Sequence, residues 1–280
     1  MDGLINIDKP SGLTSSKVVQ VVRRKLNVKT AGHMGTLDPM GSGILLVGLG
    51  KGARLFDYYL KKDKTYISEF EFGYECDTLD NTGMVTARTE QVPALAQING
   101  VLPSFVGKQL QMPPAYSAKS VGGRRAYDLA RSGEAVELKP SEIIVHSIKC
   151  LKETAKNTYA FEIKCGAGTY IRSLCRDIAY AVGSLASMVS IRRTQCGEFL
   201  AENAVPLDNV TENDVLPLEK VISLPRYDAD ENDYKKLCNG VRISADGAPD
   251  GLFVLYCKGE LFGIAENDNG IRIKTYLRKD

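Results

Sequence analysis

The chain has 280 residues and a formal net charge of +2, from 36 Lys and Arg against 34 Asp and Glu, and its length predicts a large domain with a smaller one attached. With 44% hydrophobic and 25% charged residues, its composition excludes a fibrous or wholly disordered protein. Neither a signal peptide nor a run of ~18 apolar residues is recognisable, and the seven cysteines include no C-x-x-C pair, so we expect a cytoplasmic protein with reduced thiols and no metal centre.

The first predicted elements are a short strand, a Pro-Ser-Gly turn and a helix, in INIDKPSGLTSSKVVQVVRRKLN. Thr14 or Ser15 can cap this helix, and Val18, Val22 and Leu26 recur at helical spacing on one face. The pattern predicts a helix that packs on the core through this apolar stripe.

The two ends of the chain differ in charge. Residues 1–62 hold ten Lys or Arg against four acids, whereas residues 201–240 hold nine acids against four bases. This asymmetry permits nucleic-acid binding by one region without requiring it. The basic run 23–25 is attributed to compensation of a helix dipole, with phosphate contact as the alternative.

The stretch AGHMGTLDPMGSGILL, residues 31–46, carries His33 and Asp38 in a glycine-rich loop before the apolar strand ILLVGLG. Taken alone, an aspartate before a proline is more often a turn residue than a reactive group. His33 alone is more often structural than catalytic. Because the chain has two histidines, a Ser-His-Asp or metal-site interpretation has few residues to use.

The segment TYISEFEFG, residues 65–73, alternates as a half-buried strand does, with Tyr66, Phe70 and Phe72 on the inward face. The following YECDTLDNTGMV predicts a turn before another strand.

Residues 107–140 contain a Pro-Pro step, a Gly-Gly step and a predicted short helix carrying Arg124, Arg125 and Arg131. This basic segment suits a clamp over a long ligand, and a solvated surface loop fits its composition about equally well.

Later in the chain, the strand TYAFEIKC leads through a Gly-rich turn into a helix with Ile171, Leu174 and Ile178 on its buried face. Tyr170 and Arg172 fall at the first turn of this helix. An acidic connector, residues 202–233, precedes a predicted hairpin that turns at Lys258 and Gly259 and one further strand. The tail is therefore predicted to be a small all-β unit.

Six blocks occur in order: DKPSGLTSSKVV, GHMGTLDPMGSGILLVGLGKGARL, KTYISEFEFGYECDTLDNTG, QMPPAYSAKSVGGRRAYDLARSG, GTYIRSLCRDI and IRRTQCGEF. Together they closely resemble the TruB family of bacterial tRNA pseudouridine-55 synthases over most of residues 3–199. The resemblance implies an α+β pseudouridine-synthase fold, with a mixed, largely antiparallel sheet and flanking helices. It further implies a catalytic domain over residues 1–223 and a small β-rich, PUA-like RNA-binding domain over 224–280.

The activity implied by the resemblance is isomerisation of the T-loop uridine at tRNA position 55 to pseudouridine. The N1–C1' bond breaks, the uracil turns, and C5 attaches to C1'. Since there is no redox change and no external group, no cofactor or metal is needed. We expect a monomer whose partner is the T-arm and T-loop of tRNA.

The resemblance also implies roles for single residues. Asp38 matches the catalytic aspartate, and Arg172 matches the arginine that pairs with the carboxylate. Tyr66 matches the tyrosine that stacks on the flipped base, and it is also a candidate to assist the final deprotonation at C5. An ordinary aspartate is ionised at neutral pH and needs no histidine. Without the resemblance, Tyr66 would be interpreted as a core residue and Arg172 as an exposed helix charge.

Further positions are expected to contact the RNA. His33 would fill the place of displaced bases, Tyr170 would line the pocket, and Ile191 would lie against the uracil ring. The phosphate-contact candidates, each with surface solvation as its alternative, are Lys9, Lys119, Arg124 and Arg125.

Two other functions remain as alternatives. A non-catalytic RNA-binding or tRNA-folding protein could use the same cleft. An aspartyl-phosphate phosphotransferase would need further acidic residues beside the nucleophile, and LDPMGS supplies none.

Overall fold

The computed structural model describes residues 1–117, 119–121, 123–125 and 138–278, and Arg131 lies outside these ranges. The strands of the main body are β1 Gly3–Lys9, β2 Ala31–His33, β3 Ser42–Leu49, β4 Lys64–Phe72, β5 Tyr74–Cys76, β6 Val85–Arg88, β7 Gly107–Gln111, β8 Ser120–Val121, β9 Arg124–Arg125, β10 Ser141–Ala155, β11 Thr158–Cys165, β12 Ala186–Cys196, β13 Phe199–Leu200 and β14 Val205–Pro206. Its helices are α1 Ser15–Lys25, α2 Phe56–Leu60, α3 Leu95–Val101, α4 Ile171–Ala181 and α5 Leu218–Val221. The tail contains β15 Arg226–Ala229, α6 Tyr234–Cys238, β16 Leu252–Cys257, β17 Glu260–Asn267 and β18 Ile271–Tyr276.

Ten of the described strands form one mixed sheet. Its order is β14–β1–β3–β12–β4–β11–β10–β7, with β2 added to β3 and β13 added to β12. The pairs β1–β14 and β3–β12 are parallel and the other pairs are antiparallel. The mixed, largely antiparallel sheet inferred from the sequence is therefore confirmed. The β3–β12 pairing brings the loop before β3 beside the strand that carries Ile191.

One face of this sheet holds the larger core. The predicted alternation of β4 is confirmed, since Tyr66, Ser68, Phe70 and Phe72 are buried and the residues between them are half-buried. Phe70 stacks on Phe161 of β11 with ring centroids 4.5 Å apart. Helices α1, α3 and α4 cover this face with buried apolar side chains that include Val18, Val22, Ile98, Leu174 and Ile178. Complete burial of one such side chain stabilises the folded protein by roughly 1.5–3 kcal/mol.

Helix α1 forms as predicted. Thr14 caps it, because the side chain of Thr14 accepts a hydrogen bond from the Lys17 N–H at 3.1 Å. Val18, Val22 and Leu26 are all buried. After β3 the chain forms a 3-10 turn over Gly50–Leu55 before α2.

The expectation of a helix at Arg124 and Arg125 was wrong. These residues form β9, paired with β8 so that Val121 faces Arg124 across a two-residue connection. Gly123 in that connection has φ +83°, which suits a tight hairpin turn. The chain therefore turns back at Gly123, and Arg124 and Arg125 lie in a strand and not in a helix.

The tail forms a four-stranded sheet in the order β15–β16–β17–β18. Its central hairpin turns at Lys258 and Gly259, with φ values of +52° and +74°, as the sequence predicts. Because it also contains α6, the tail is β-rich and not all-β. It packs on the second face of the main sheet, where Tyr59, Val221, Tyr256 and Ile264 belong to one buried cluster. No helix in the described part of the chain is long and apolar enough to cross a membrane.

Candidate active site

Asp38 and Arg172 form an ion pair at the centre of the candidate site. The Nε of Arg172 lies 3.0 Å from Oδ2 of Asp38, and Nη2 lies 3.3 Å from Oδ1. Such a two-pronged contact fixes the orientation of a carboxylate as well as its position. The Arg172 side chain is 8% exposed and that of Asp38 is 33% exposed. A ligand can therefore reach the carboxylate, while the cation that orients it is enclosed.

The other side of the Arg172 guanidinium binds a turn that follows β5. Nη1 donates to the Thr78 carbonyl at 2.9 Å and lies 3.4 Å from Oδ2 of Asp80, while Nη2 donates to the Tyr116 carbonyl at 3.0 Å. Asp80 is buried, and its Oδ1 accepts bonds from the Thr78 hydroxyl at 2.8 Å and the Thr82 N–H at 3.0 Å. One buried cation thus serves two carboxylates. Asp80 was not predicted as a site residue, because the sequence CDTLDNTG indicates only a turn.

Lys9 supports the loop that carries Asp38. It is 0% exposed, and its Nζ donates to the carbonyls of Pro10 at 3.0 Å, Pro39 at 3.2 Å and Gly41 at 2.5 Å. Burial lowers the pKa of Lys9 to about 8, although the Asp38 carboxylate favours its charged form. Lys9 was expected to contact a phosphate at the surface. Instead, its side chain is enclosed and bound to backbone carbonyls.

The β1–α1 connection binds the same loop at further points. The Ser15 hydroxyl is 2.9 Å from both the N–H and the carbonyl oxygen of Leu37, and the Gly12 N–H donates to the Pro39 carbonyl at 2.8 Å. The Gly41 N–H donates to the Asp38 carbonyl at 2.9 Å and closes the turn. Asp38 is therefore the turn residue that its local sequence favours, and the turn also presents its carboxylate.

Glycine is required where β3 begins. Gly43 has φ +93°, and a Cβ there would lie 2.2 Å from the carbonyl oxygen of Arg193 on β12. Any side chain would separate β3 from β12, and the Asp38 loop would move with β3.

Tyr66 is joined to the loop through Arg193. The guanidinium carbon of Arg193 lies 5.6 Å from the centre of the Tyr66 ring, and its Nη2 donates to the Thr36 carbonyl at 2.8 Å. Burial raises the pKa of Tyr66 to about 12, although Arg193 opposes the shift, so the hydroxyl is protonated at neutral pH. Ile191, two residues before Arg193, is buried in the same cluster as Tyr66. Arg193 lies in the IRRT block, but no role was predicted for it.

Tyr170 immediately precedes α4 and is held by a side chain from β7. Its N–H donates to Oε1 of Gln111 at 2.8 Å, and its carbonyl accepts from Nε2 of Gln111 at 3.1 Å. Gln111 is 2% exposed. This paired contact fixes the chain immediately before Arg172, and the sequence carried no signal for it.

The other residues predicted to contact RNA are His33, Lys119, Arg124 and Arg125. His33 in β2 is half-buried, and burial together with the Arg193 charge lowers its pKa. Lys119 donates to the Lys139 carbonyl at 3.1 Å and the Ser141 hydroxyl at 2.5 Å, so it ties the start of the basic segment to β10. The side chains of Arg124 and Arg125 lie outside the described part of the structure. Within the described residues, no three His, Cys, Asp or Glu side chains are grouped as metal ligands.

Comparison with solved structures gives the same architecture. A chain in a Cbf5–Nop10–Gar1 complex superimposes with a TM-score of 0.72 at 26% identity, over 98% of this chain and 79% of that one. A chain of an H/ACA RNP bound to a substrate RNA containing 2'-deoxyuridine gives a TM-score of 0.72 at 23% identity, over 99% of this chain and 85% of that one. The second likeness is one of fold alone.

Sequence comparison gives the family. Residues 23–171 match the N-terminal domain model of TruB family pseudouridylate synthases, and residues 172–223 match the C-terminal domain model of tRNA pseudouridylate synthase B. A tRNA pseudouridine synthase B of Caldanaerobacter subterraneus subsp. tengcongensis is 36% identical over 276 residues, 96% of each chain. Another from Aquifex aeolicus is 36% identical over 279 residues, 97% of each chain. Because these matches span nearly the whole length, including the Asp38 loop and the Arg172 helix, the chain belongs to the TruB family of pseudouridylate synthases.

Proposed function

We propose that this protein isomerises the uridine at position 55 in the T-loop of tRNA to pseudouridine, with Asp38 as the catalytic carboxylate. The observation that carries the proposal is the accessible Asp38 carboxylate held by two contacts from an enclosed Arg172. A tRNA substrate is supported by the relatives named tRNA pseudouridine synthase B, which match this chain along nearly its whole length.

The proposed reaction needs an oriented, ionised carboxylate. Asp38 acts on the ribosyl C1', on C6 of the base or on a ribose proton, and each route uses an oxygen lone pair that Arg172 aims. The N1–C1' bond breaks, the uracil turns and the C5–C1' bond forms. C5 then loses its proton and N1 takes one up, so the product is an isomer of the substrate.

Access to C1' requires the uridine to leave its stack in the loop, at a cost of a few kcal/mol. Stacking on an aromatic side chain returns roughly 1–3 kcal/mol per base. We assign this contact to Tyr66, with Ile191 and Tyr170 lining the pocket and His33 filling the vacated space in the RNA. Since its pKa is raised to about 12, Tyr66 offers a neutral ring at pH 7 and not a phenolate base.

The domain assignment is part of the same proposal. Residues 1–223 form the catalytic domain, and residues 224–280 form a PUA-like RNA-binding domain, which the separate four-stranded sheet of the tail supports. The basic segment 107–140 supplies the clamp. We extend the proposal to a monomer that acts in the cytoplasm.

The test uses tRNA labelled with tritium at C5 of uridine. Wild-type protein should release tritium without added cofactor, and Asp38→Asn should bind the tRNA with similar affinity but release none. A tRNA with cytidine at position 55 is the control for the site and should bind without release. Binding without release by the wild type would favour the RNA-folding alternative. Release by Asp38→Asn would refute the role of Asp38.

A further inference from the structure

Leu79 has a backbone conformation that its side chain does not favour. Its φ is +61°, in the left-handed region that glycine and asparagine adopt most readily. The other described non-glycine residues with positive φ are three asparagines and one lysine: Asn27, Asn157, Asn269 and Lys258. A branched aliphatic residue in this conformation must therefore be held there by its surroundings.

The surroundings hold Leu79 on both sides. Its N–H donates to the Cys76 carbonyl at 2.9 Å, and its own carbonyl accepts from the Met188 N–H at 3.1 Å. The next residue, Asp80, forms an isolated bridge with Met188 of β12. Relaxation of Leu79 to an ordinary conformation would break contacts with both β5 and β12.

The left-handed turn brings two acceptors to one nitrogen. Thr78 and Asp80 flank Leu79, and the Thr78 carbonyl and the Asp80 carboxylate lie 2.9 Å and 3.4 Å from Nη1 of Arg172. In an extended chain, residues i and i+2 would be roughly 6.6 Å apart along the strand. The opposite edge of the same rigid guanidinium holds Asp38, so the position of Nη1 fixes the position of Nε and Nη2.

The Leu79 side chain does not explain the choice of conformation. It is buried, but it belongs to none of the three clusters of buried apolar residues in the described chain. The feature that sets Leu79 apart is therefore its backbone conformation and not its packing in an apolar cluster.

We propose that Leu79 is a positioning residue, whose left-handed backbone aligns Arg172 with the Asp38 carboxylate. The proposal rests on the proposed role of Asp38 in the isomerisation. It concerns the rate of the chemical step and not the affinity for RNA, because Leu79 acts through Arg172.

The test compares two substitutions with opposite preferences. Leu79→Asn accepts the left-handed conformation although it is polar, whereas Leu79→Val keeps an apolar side chain but is β-branched and resists that conformation. We expect Leu79→Val to lower the single-turnover rate at least tenfold with the Kd for tRNA changed less than threefold. Leu79→Asn should stay within threefold of wild type in both. A packing role predicts the reverse order of rates and would overturn the proposal.

A matched control introduces the same backbone conflict elsewhere. Asn157, with φ +63°, lies in the β10–β11 turn, so Asn157→Val should lower the melting temperature without changing the single-turnover rate. In an Arg172→Lys background, Leu79→Val should lower the single-turnover rate by less than a further twofold, because the arginine that Leu79 positions is already absent. A full additional tenfold loss would contradict action through Arg172. If Leu79→Val does not fold, Leu79→Gly and Leu79→Ala give the same comparison, and the rate should be higher with Gly.

A second measurement does not depend on activity. With 15N-arginine labelling, the Nε–H signal of Arg172, identified by its loss in Arg172→Lys, should exchange slowly with water in wild type and in Leu79→Asn. It should exchange at least tenfold faster in Leu79→Val, and equal exchange in the two variants would overturn the proposal. A wild-type protein that released no tritium would refute the proposed function and leave this comparison valid.

Discussion

Arg172 holds two carboxylates that come from distant parts of the chain. Its Nε and Nη2 contact Asp38, while its Nη1 contacts Asp80 and the Thr78 carbonyl. A planar guanidinium can serve both sides at once, whereas a lysine ammonium is a point charge on a flexible stem. The shape of Arg172 therefore matters as much as its charge.

We expect Arg172→Lys to lower kcat for tritium release by about 100-fold, because the charge stays but the orientation of Asp38 is lost. The matched control is Arg176→Lys, one turn later on α4, where the arginine pairs with Asp177 and not with Asp38. It should stay within about twofold of wild type. Equal losses in the two variants would contradict a specific role for Arg172.

Lys9 gives a prediction for the pH dependence of stability. Its pKa is lowered to about 8 in the folded protein, whereas an unfolded lysine keeps its proton to about 10.4. Between these values the unfolded state binds more protons, so the free energy of unfolding should rise with pH. Relative to Lys9→Met, the wild-type value should increase from pH 8 to pH 10 by up to about 1.4 kcal/mol per pH unit.

Urea unfolding at several pH values measures this difference. Below pH 8 Lys9 is protonated in both the folded and the unfolded state. Plots of the free energy of unfolding against pH should therefore be parallel for wild type and Lys9→Met in that range. Parallel curves above pH 8 as well would mean that burial does not lower the pKa of Lys9.

At the residue scale, the family resemblance predicted roles for Asp38 and Arg172, because both lie in blocks that match the family. It could not predict Asp80, since CDTLDNTG carries turn residues whatever Asp80 contacts, and its link to Arg172 spans more than 90 residues. Lys9 was assigned to a phosphate because a lysine is normally exposed, and three converging carbonyls are invisible in a sequence.

At the scale of elements, helix α4 begins without a side-chain cap of its own. Tyr170 at its N-cap position makes no side-chain cap bond, and Gln111 from β7 binds the Tyr170 backbone instead. The first turn of α4, which carries Arg172, is thereby anchored to the edge strand of the main sheet. The stripe of Ile171, Leu174 and Ile178 was predictable from its period, but this contact between elements was not.

Gln111→Leu should destabilise the protein by about 1–3 kcal/mol, because it leaves the Tyr170 N–H without its partner. It also removes one of the two bonds to the Tyr170 carbonyl, which still accepts from the Leu174 N–H at 3.1 Å. The same change should lower kcat, since the start of α4 carries Arg172. Gln109→Leu, two residues earlier on β7, is the control and should leave kcat unchanged, because the Gln109 side chain bonds to the Phe105 carbonyl. Chemical unfolding and tritium release give the two values. A kcat for Gln111→Leu equal to that of Gln109→Leu would contradict the anchor.

At the scale of the whole molecule, the tail and the main body share a buried cluster. Ile264 and Tyr256 from the tail pack with Tyr59 and Val221 from the body. A separate cluster inside the tail includes Phe253 and Phe262. The sequence predicted a β-rich tail, but not the face of the main sheet that it covers, because both faces of β3 are apolar in ILLVGLG.

We expect Ile264→Ala to lower the free energy of unfolding by about 2–5 kcal/mol and to lower the melting temperature of body and tail together. The shared cluster should make the two unfold in a single calorimetric transition. Ile273→Ala, at a half-buried position within the tail, is the control and should cost less. Two separate transitions in the wild type would show that the shared cluster does not couple the two parts.

The hydrogen bonds between the β1–α1 connection and the Asp38 loop have a consequence for backbone dynamics. The N–H groups of Gly12, Leu37 and Gly41 are all donated within the protein, although none lies in a helix or strand. Their amide protons should therefore exchange with solvent as slowly as those of neighbouring strands, and should lose protection together. In hydrogen-exchange terms the Asp38 loop is part of the rigid frame, so we expect any motion that admits RNA to the proposed site to occur in other segments.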